Sequence, residues 1–464
     1  MRFFDRSFVM AGLLAGFLAC LGAVPQAQRQ ALAVHRPHEL LVRFEANVSD
    51  ARRAAILRGV DGKELYRYSL VPDLVHVGVK EDVETALQVL RKDQGVRYAH
   101  ANYLLFPVAE TFPPDEGFPK QWGLWVDSPY SSFLGWLWSF YWRFRRADID
   151  APRAWSVNTG SGDFIVAVID TGLDNSKTEF DGNLWEKDGD IGRNFLEDPP
   201  ESVTTDATGH GTRIAGIIGA RSNAGMAHSM VGVNWNVQIM PLQFIGYRPD
   251  DLTADGDIAL AIKAIEFSAD EGALVSNNSY GARKISDADS LKDAIEYAGD
   301  KGQLFVCAAG NHGEDIDVDP FYPASFNSDL DNMIVVTSID SRRNLAIGVS
   351  YGEETVDIAA PGTDIYSVYA YDWGSDSGTS YATAFVSGAA ALYWDLYPEL
   401  TYLEVKEDLL NSCMRSSYLD GKVKNRRHLN VGNLVVGPWL GMIAVPIDAL
   451  FLPPVGVVIP PPVY

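Results

Sequence analysis

From Ile165 onward, continuous apolar runs of strand length alternate with helical patterns, and this alternation constrains the fold more than any other feature of the chain. FIVAVID (164–170), VQIMPLQFI (237–245), ALVSNNSYG (273–281), QLFVCAAGN (303–311) and MIVVTSID (333–340) are apolar on both faces of the expected strand. A strand of that kind is stable only in a sheet covered on both sides. DGDIALAIKAIEFSADEG (255–272) and SDADSLKDAIEYAGDKG (286–302) supply helices to cover it. The alternation therefore predicts an α/β domain with a doubly wound, mostly parallel sheet.

A shorter mixed pattern precedes this region. Within residues 38–107, ELLVRFE, LVHVGVK and GVRYAHANYLLF read as strands, while SDARRAAILRGV and EDVETALQVLRKDQ read as helices. That is a small α+β unit. Residues 108–120 include several prolines and acidic residues that interrupt any period, so they read as a linker open to proteolytic nicking. The main domain is then expected over 121–436, with an aromatic and Arg-rich insertion at 131–146 and an apolar, Pro-rich tail at 437–464. The insertion is too short and the tail too interrupted to span a membrane. Docking of 131–146 on a membrane surface is weighed against packing on protein, and packing is the expectation.

At the start, MRFFDR carries two arginines and runs into FVMAGLLAGFLACLGAV. Residues 1–30 therefore read as a secretory signal peptide, which predicts an extracellular or periplasmic protein. Beyond Cys20 only Cys307 and Cys413 remain, too few for a disulfide framework, and both are expected as free thiols in apolar surroundings. The 61 acidic against 38 basic side chains give a net charge of −23. Such a surface excludes nucleic acid as the expected partner, because that binding depends on cations neutralising phosphates.

Three short elements carry chemistry: VIDTGLD around Asp170, ATGHGTRIAG around His210 and SGTSYATAFVSG around Ser380. Asp170 ends a buried strand, at the carboxyl edge where open parallel sheets gather functional groups. His210 and Ser380 open helical runs, where backbone N–H groups and the helix dipole favour negative charge. A serine, a histidine and an aspartate can act as nucleophile, general base and orienting carboxylate toward a peptide carbonyl, with an acyl-enzyme between.

In the order Asp, His, Ser, and with a glycine beside each, these elements resemble the subtilisin-like serine proteases. The resemblance runs from about Gln121 to Val435 and implies a serine endopeptidase acting on protein or peptide substrates, with no cofactor required for chemistry. It implies that Asn311, in CAAGNHG, donates to the oxyanion. It also implies that Ser279, Tyr280 and Gly281, in SNNSYG, pair with extended substrate backbone. Residues 38–107, through their pattern and the phrase VRYAHANY, resemble the family's ferredoxin-like propeptide, which implies an intramolecular inhibitor removed by self-processing. Structural calcium is common in the family, and Glu179, Asp181, Asp188, Asp190, Asp198 and Asp206 offer hard oxygen ligands. Their spacing matches no defined calcium loop, and a solvated acidic face explains them equally well.

The chain departs from the family pattern at Arg213, where His is usual, at Tyr381, where Met is usual, and at Ala384 and Phe385, where Pro-His is usual. These departures leave the reaction type in place and put the shape of the cleft beside Ser380 in question. They motivate one alternative, a secreted binding protein that keeps the fold without turnover.

Overall fold

In residues 38–103 apolar side chains alternate along three of the strands and repeat on one face of each helix, so a single sheet can bury both helices. A computed structural model describes residues 35–68, 72–80, 82–103, 111–126, 147–222, 229–247, 254–283, 285, 288–369 and 373–437. The chain divides into two compact units, with the boundary after Leu104. The first contains β1 (His35–Phe44), α1 (Asp50–Arg58), β2 (Lys63–Arg67), β3 (Leu74–Gly78), α2 (Val83–Leu90) and β4 (Val96–Tyr103). The sheet order is β2-β3-β1-β4, antiparallel throughout. This βαββαβ order is that of the ferredoxin-like motif. Leu40, Val42, Val75, Val77, Ala86 and Leu87 are completely buried at its centre. Ser49 and Asp82 cap the two helices through their side chains, satisfying backbone donors that have no partner inside the helix.

Strand β2 was invisible to the sequence pattern. All five of its residues are exposed, so no apolar alternation marks it.

In the second unit the apolar runs form a nine-stranded sheet. Its elements are β5 (Ile165–Asp170), β6 (Arg193–Asn194), α3 (His210–Gly219), β7 (Gln238–Gln243), α4 (Ile258–Asp270), β8 (Val275–Asn278), α5 (Asp289–Asp300), β9 (Leu304–Ala308) and β10 (Met333–Ile339). They continue with β11 (Ile358–Pro361), a hairpin of β12 (Ile365–Val368) and β13 (Trp373–Asp376), α6 (Thr379–Leu396), β14 (Met414–Arg415) and β15 (Arg427–His428). The order is β14-β15-β11-β10-β9-β8-β5-β7-β6, and only β14 runs antiparallel to its neighbour. From β5 the chain fills one side of the sheet as far as β7 and then crosses to β8. Asp170 thus ends the strand at which the order reverses, the point where open α/β sheets bind ligands.

Helix α6 is buried from Thr379 to Trp394. Its small residues Ala382, Gly388, Ala389 and Ala390 let it pack closely, and a Cβ at Gly388 would stand 2.8 Å from Val233 in the segment ahead of β7. Cys307 is buried in β9 and Cys413 half-buried, both as free thiols. Burial pushes the Cys413 thiol up to about 12, and burial likewise raises Cys307. Neither is suited to act as a thiolate at neutral pH.

Residues 111–120, read from sequence as part of a linker, are held by the second unit. The Thr111 N–H donates to the Pro152 carbonyl at 3.0 Å and the Gly117 N–H to Ser229 at 2.7 Å. Ser222 donates to the buried Asp115 carboxylate at 2.7 Å. The prolines there end regular structure without loosening the backbone. The signal-peptide reading, the insertion at 131–146 and the tail beyond Gly437 lie outside the described residues. Among the described residues no helix is long and apolar enough to cross a membrane.

Candidate active site

The carboxylate of Asp170, at the end of β5, is 1% exposed. One oxygen, Oδ1, lies 2.7 Å from His210 Nδ1 and also accepts the Thr171 N–H at 2.8 Å. A carboxylate only accepts, so Nδ1 carries the proton and Nε2 is left with a free lone pair. The other oxygen, Oδ2, has no partner among the described residues.

His210 begins α3. Gly209 precedes it at φ 74°, a left-handed conformation that L residues adopt only with strain. Gly211 follows, and a Cβ there would stand 2.2 Å from the Gly172 carbonyl oxygen. The turn after β5 and the start of α3 therefore touch backbone to backbone, which brings Asp170 and His210 together.

Asp206, buried four residues before His210, ties these two loops. Its Oδ1 accepts from the Thr171 hydroxyl at 2.9 Å and the Gly209 N–H at 2.9 Å. Its Oδ2 accepts the Thr212 N–H at 2.9 Å and the Thr212 hydroxyl at 2.8 Å. Sequence reasoning had grouped Asp206 with possible calcium ligands. The signal for these partners is its place just ahead of a helix start, followed by Thr208 and Gly209.

Glu179 is likewise engaged, accepting from Trp373 Nε1 at 2.8 Å. Among the described residues no group of three or more His, Cys, Asp or Glu side chains is disposed to hold a metal ion.

The histidine is balanced between opposing influences. Burial is the largest and pulls its pKa down. The charge and hydrogen bond of Asp170, helped by the charge of Asp206, outweigh it, while Arg213 works against them. The net result is a pKa above the ordinary histidine value of about 6.5.

Ser380, 7% exposed, is the second residue of α6. Its hydroxyl lies 3.4 Å from the Ser279 carbonyl and makes no hydrogen bond to His210. The Ser279 hydroxyl returns a bond of 3.2 Å to the Ser380 carbonyl, so the end of β8 and the start of α6 brace each other.

Asn311 follows β9 beside them. Its Oδ1 accepts the Thr379 N–H at 2.9 Å. That donor fixes which amide atom is oxygen, and Nδ2 keeps both protons unused among the described residues. A Cβ placed on Gly378 would stand 3.2 Å from this Nδ2, which puts the free donor beside the backbone leading into Ser380.

Tyr280 differs from its neighbours. Its hydroxyl donates to Asn278 at 3.0 Å, and its ring meets Phe244 edge-on at 4.7 Å. Burial, the largest influence, raises its pKa well above the ordinary value. Its side chain is thus committed to packing, whereas Gly281 is exposed.

The departures at 213 and 381 touch each other: Arg213 Nη1 donates to the Tyr381 hydroxyl at 2.9 Å. Phe385 is buried, and a Cβ on Gly123 would stand 2.6 Å from its ring tip. Its ring therefore lies against Gly123 and fills the core.

Comparison with known proteins gives this geometry a family. A model described as "Subtilase family" matches residues 161–432, more than half of the chain, and one described as "Fervidolysin N-terminal prodomain" matches residues 23–102. The chain is similar to a thermophilic serine proteinase of Bacillus sp. (strain AK1), at 30% identity over 76% of this chain and 77% of that protein. It is also similar to thermitase of Thermoactinomyces vulgaris, at 34% identity over 53% of this chain and 79% of that protein. Among solved structures, fervidolysin from Fervidobacterium pennivorans shares the fold with a TM-score of 0.53 at 20% identity, covering 87% of this chain and 61% of that one. A protease from Pseudoalteromonas arctica shares it with a TM-score of 0.56 at 22% identity, covering 70% of this chain and 98% of that one. The chain belongs to the subtilase family of serine-type endopeptidases and carries that family's N-terminal prodomain.

Proposed function

We propose that the chain is a secreted, self-processing zymogen in which Ser380 is the nucleophile, His210 the general base and Asp170 the orienting carboxylate. The observation that carries this reading is the 2.7 Å bond from His210 Nδ1 to the buried Asp170. It holds Nε2 as the acceptor at a site where Ser380 heads a buried helix. For attack, the Ser380 hydroxyl turns from the Ser279 carbonyl and gives its proton to Nε2 as Oγ bonds to the peptide carbonyl carbon. His210 then passes that proton to the leaving amine, and water repeats the sequence on the ester. The long 3.4 Å contact at Ser380 costs little to break.

Charge appears on the former carbonyl oxygen. The free Asn311 Nδ2 protons are its proposed donors, anchored through Oδ1 so that little reorganisation is needed. The backbone at Ser279, Tyr280 and Gly281 is the proposed cleft edge for extended substrate, with Tyr280 holding that edge by packing. Protein or peptide chains are the substrates, and the prodomain is the intramolecular inhibitor.

Maturation is proposed within residues 108–120. The hydrogen bonds at Thr111, Asp115 and Gly117 favour the part before Thr111, where release would leave the second unit intact. Purified Ser380→Ala should then stay at precursor length while the wild-type chain shortens to an N-terminus near 111, read by intact mass. Maturation of the purified mutant on its own would contradict self-processing.

A further inference from the structure

Beside His210, and outside the three residues just assigned, lies a compact charged group. Arg213 is 5% exposed, one helical turn beyond His210 on the same face of α3. Its Nη1 donates to Asp376 Oδ2 as well as to the Tyr381 hydroxyl. Tyr381 in turn donates to Asp376 Oδ2 at 2.9 Å, so its hydroxyl both gives and receives a bond. The guanidinium lies over the Tyr369 ring, 3.2 Å from its centroid, at the end of β12. The Tyr381 ring faces the His210 ring at 6.0 Å between centroids, tilted by 58°.

Three separate elements therefore meet at one point. Arg213 comes from α3, Asp376 from the end of β13, and Tyr381 from the first turn of α6, next to Ser380. Arg213 is buried whereas the Asp376 side chain is about half-exposed, so the guanidinium depends on this carboxylate more than the carboxylate depends on it. Tyr381 is long enough to reach both while its ring rests on His210.

We propose that Arg213, Asp376 and Tyr381 form a charge-compensated clamp that holds the His210 ring in line between Asp170 and Ser380 and balances the electrostatic field at that ring. The inference rests on His210 being the base. Arg213 and Tyr381 are positioning residues, since they act through the histidine. The charged and titratable groups facing His210 are Asp170 from β5, Asp206 from the preceding loop, Arg213 from its own helix, Tyr381 from α6 and Asp376 through the clamp. Arg213 opposes protonation of His210. Deleting its charge also uncovers Asp376, so both consequences favour the imidazolium. Neutralising Asp376 leaves the arginine cation uncompensated and does the reverse. A residue with only a packing role would not shift the titration in two directions.

The test is the pH dependence of the rate at which a fluorophosphonate inactivates the matured protein, read as a midpoint so that incomplete maturation affects only amplitude. Arg213→Gln should raise the midpoint by about half a pH unit and Asp376→Asn lower it by a similar amount, as expected for one charge several ångströms away in a partly solvated site. The double variant should return toward the wild-type midpoint. Tyr381→Phe should keep the midpoint and lower the plateau rate by about 3-fold to 10-fold, because the ring loses its anchor rather than a charge. Midpoints for both charge variants that stay at the wild-type value, or move the same way, overturn the clamp. Where a variant fails to mature, the His210 imidazole titration by NMR in full-length Ser380→Ala reads the same shift. A wild-type protein that takes no probe would defeat the catalytic assignment, while the NMR titration would still decide the clamp.

Discussion

On one flank of Ser380 the supporting contacts come from backbone and short side chains: Thr379 to Asn311, Ser279 to the Ser380 carbonyl, and the Gly310 N–H to Thr379 at 3.2 Å. On the other flank they come from an arginine, an aspartate and a tyrosine that meet across three elements. The first flank is built from the elements around Asn311 and Ser380 that resemble the family's, and the second holds the departures at Arg213 and Tyr381. Oxyanion binding needs donors fixed to about half an ångström, which backbone-anchored amides supply. Orienting a histidine needs only a wall and a balanced field, and several side-chain sets can provide those. Rebuilding one flank while keeping the other is thus compatible with an unchanged reaction.

Variants that separate the two flanks sharpen this contrast. Ser380→Ala, at their junction, should lower kcat by about 10⁶-fold, the scale known for the equivalent loss in subtilisin itself, and should arrest maturation. Asn311→Ala should lower kcat by about 10²–10³-fold with little change in KM, a magnitude also taken from subtilisin. Its pH midpoint should stay at the wild-type value, unlike the midpoints of the Arg213 and Asp376 variants. A shift in that midpoint would break the division between flanks.

Asp206 belongs to neither flank but stands behind both Asp170 and His210. Asp206→Ala strips the acceptor from three backbone N–H groups and from the hydroxyls of Thr171, Thr208 and Thr212, and should destabilise the protein by about 3 kcal/mol, measured by denaturant unfolding. Asp206→Asn keeps one acceptor oxygen and should lose less.

A weaker effect is set by His210 itself. Its folded pKa is raised above the unfolded value, so the stability contributed by the imidazolium and Asp170 is fully present below about pH 6.5 and is lost as pH rises through the folded pKa. Activity needs the neutral base and should rise over that same window. Comparing unfolding of Ser380→Ala with Ser380→Ala/His210→Gln should show a stability difference that shrinks as pH increases; a difference that grows would contradict the sign. Smallest of all, Tyr280→Phe should cost less than about 1 kcal/mol and leave kcat/KM nearly unchanged, because it removes one hydrogen bond and keeps the ring against Phe244. A large loss in kcat/KM would move the Tyr280 side chain into the cleft.

The elements that carry Asp170, His210, Ser380 and Asn311 were legible in the sequence because each sits where an apolar run ends or a helix begins. The parallel sheet was legible for the same reason, since β5, β7, β9 and β10 are mostly apolar, whereas β8, Val-Ser-Asn-Asn, is mostly polar although buried. Strand β2 was not, because its side chains face solvent and show no apolar alternation. Arg213 and Tyr381 stood out singly as departures, yet they are far apart in sequence and nothing local reports their contact. Asp376 gave no signal at all: its role arises from where the hairpin of β12 and β13 delivers it. Asp206 read as one of several acidic residues of a calcium site or a solvated face, because charge can be read from sequence while the hydrogen bonds that bury it cannot.

The central claim is that Ser380, activated by His210 and Asp170, is the nucleophile. Peptide mapping of the matured wild-type protein after fluorophosphonate treatment tests it most directly. The account predicts a single stoichiometric adduct on Ser380 that is lost in His210→Ala. An unmodified Ser380, or an adduct on another serine, would contradict it.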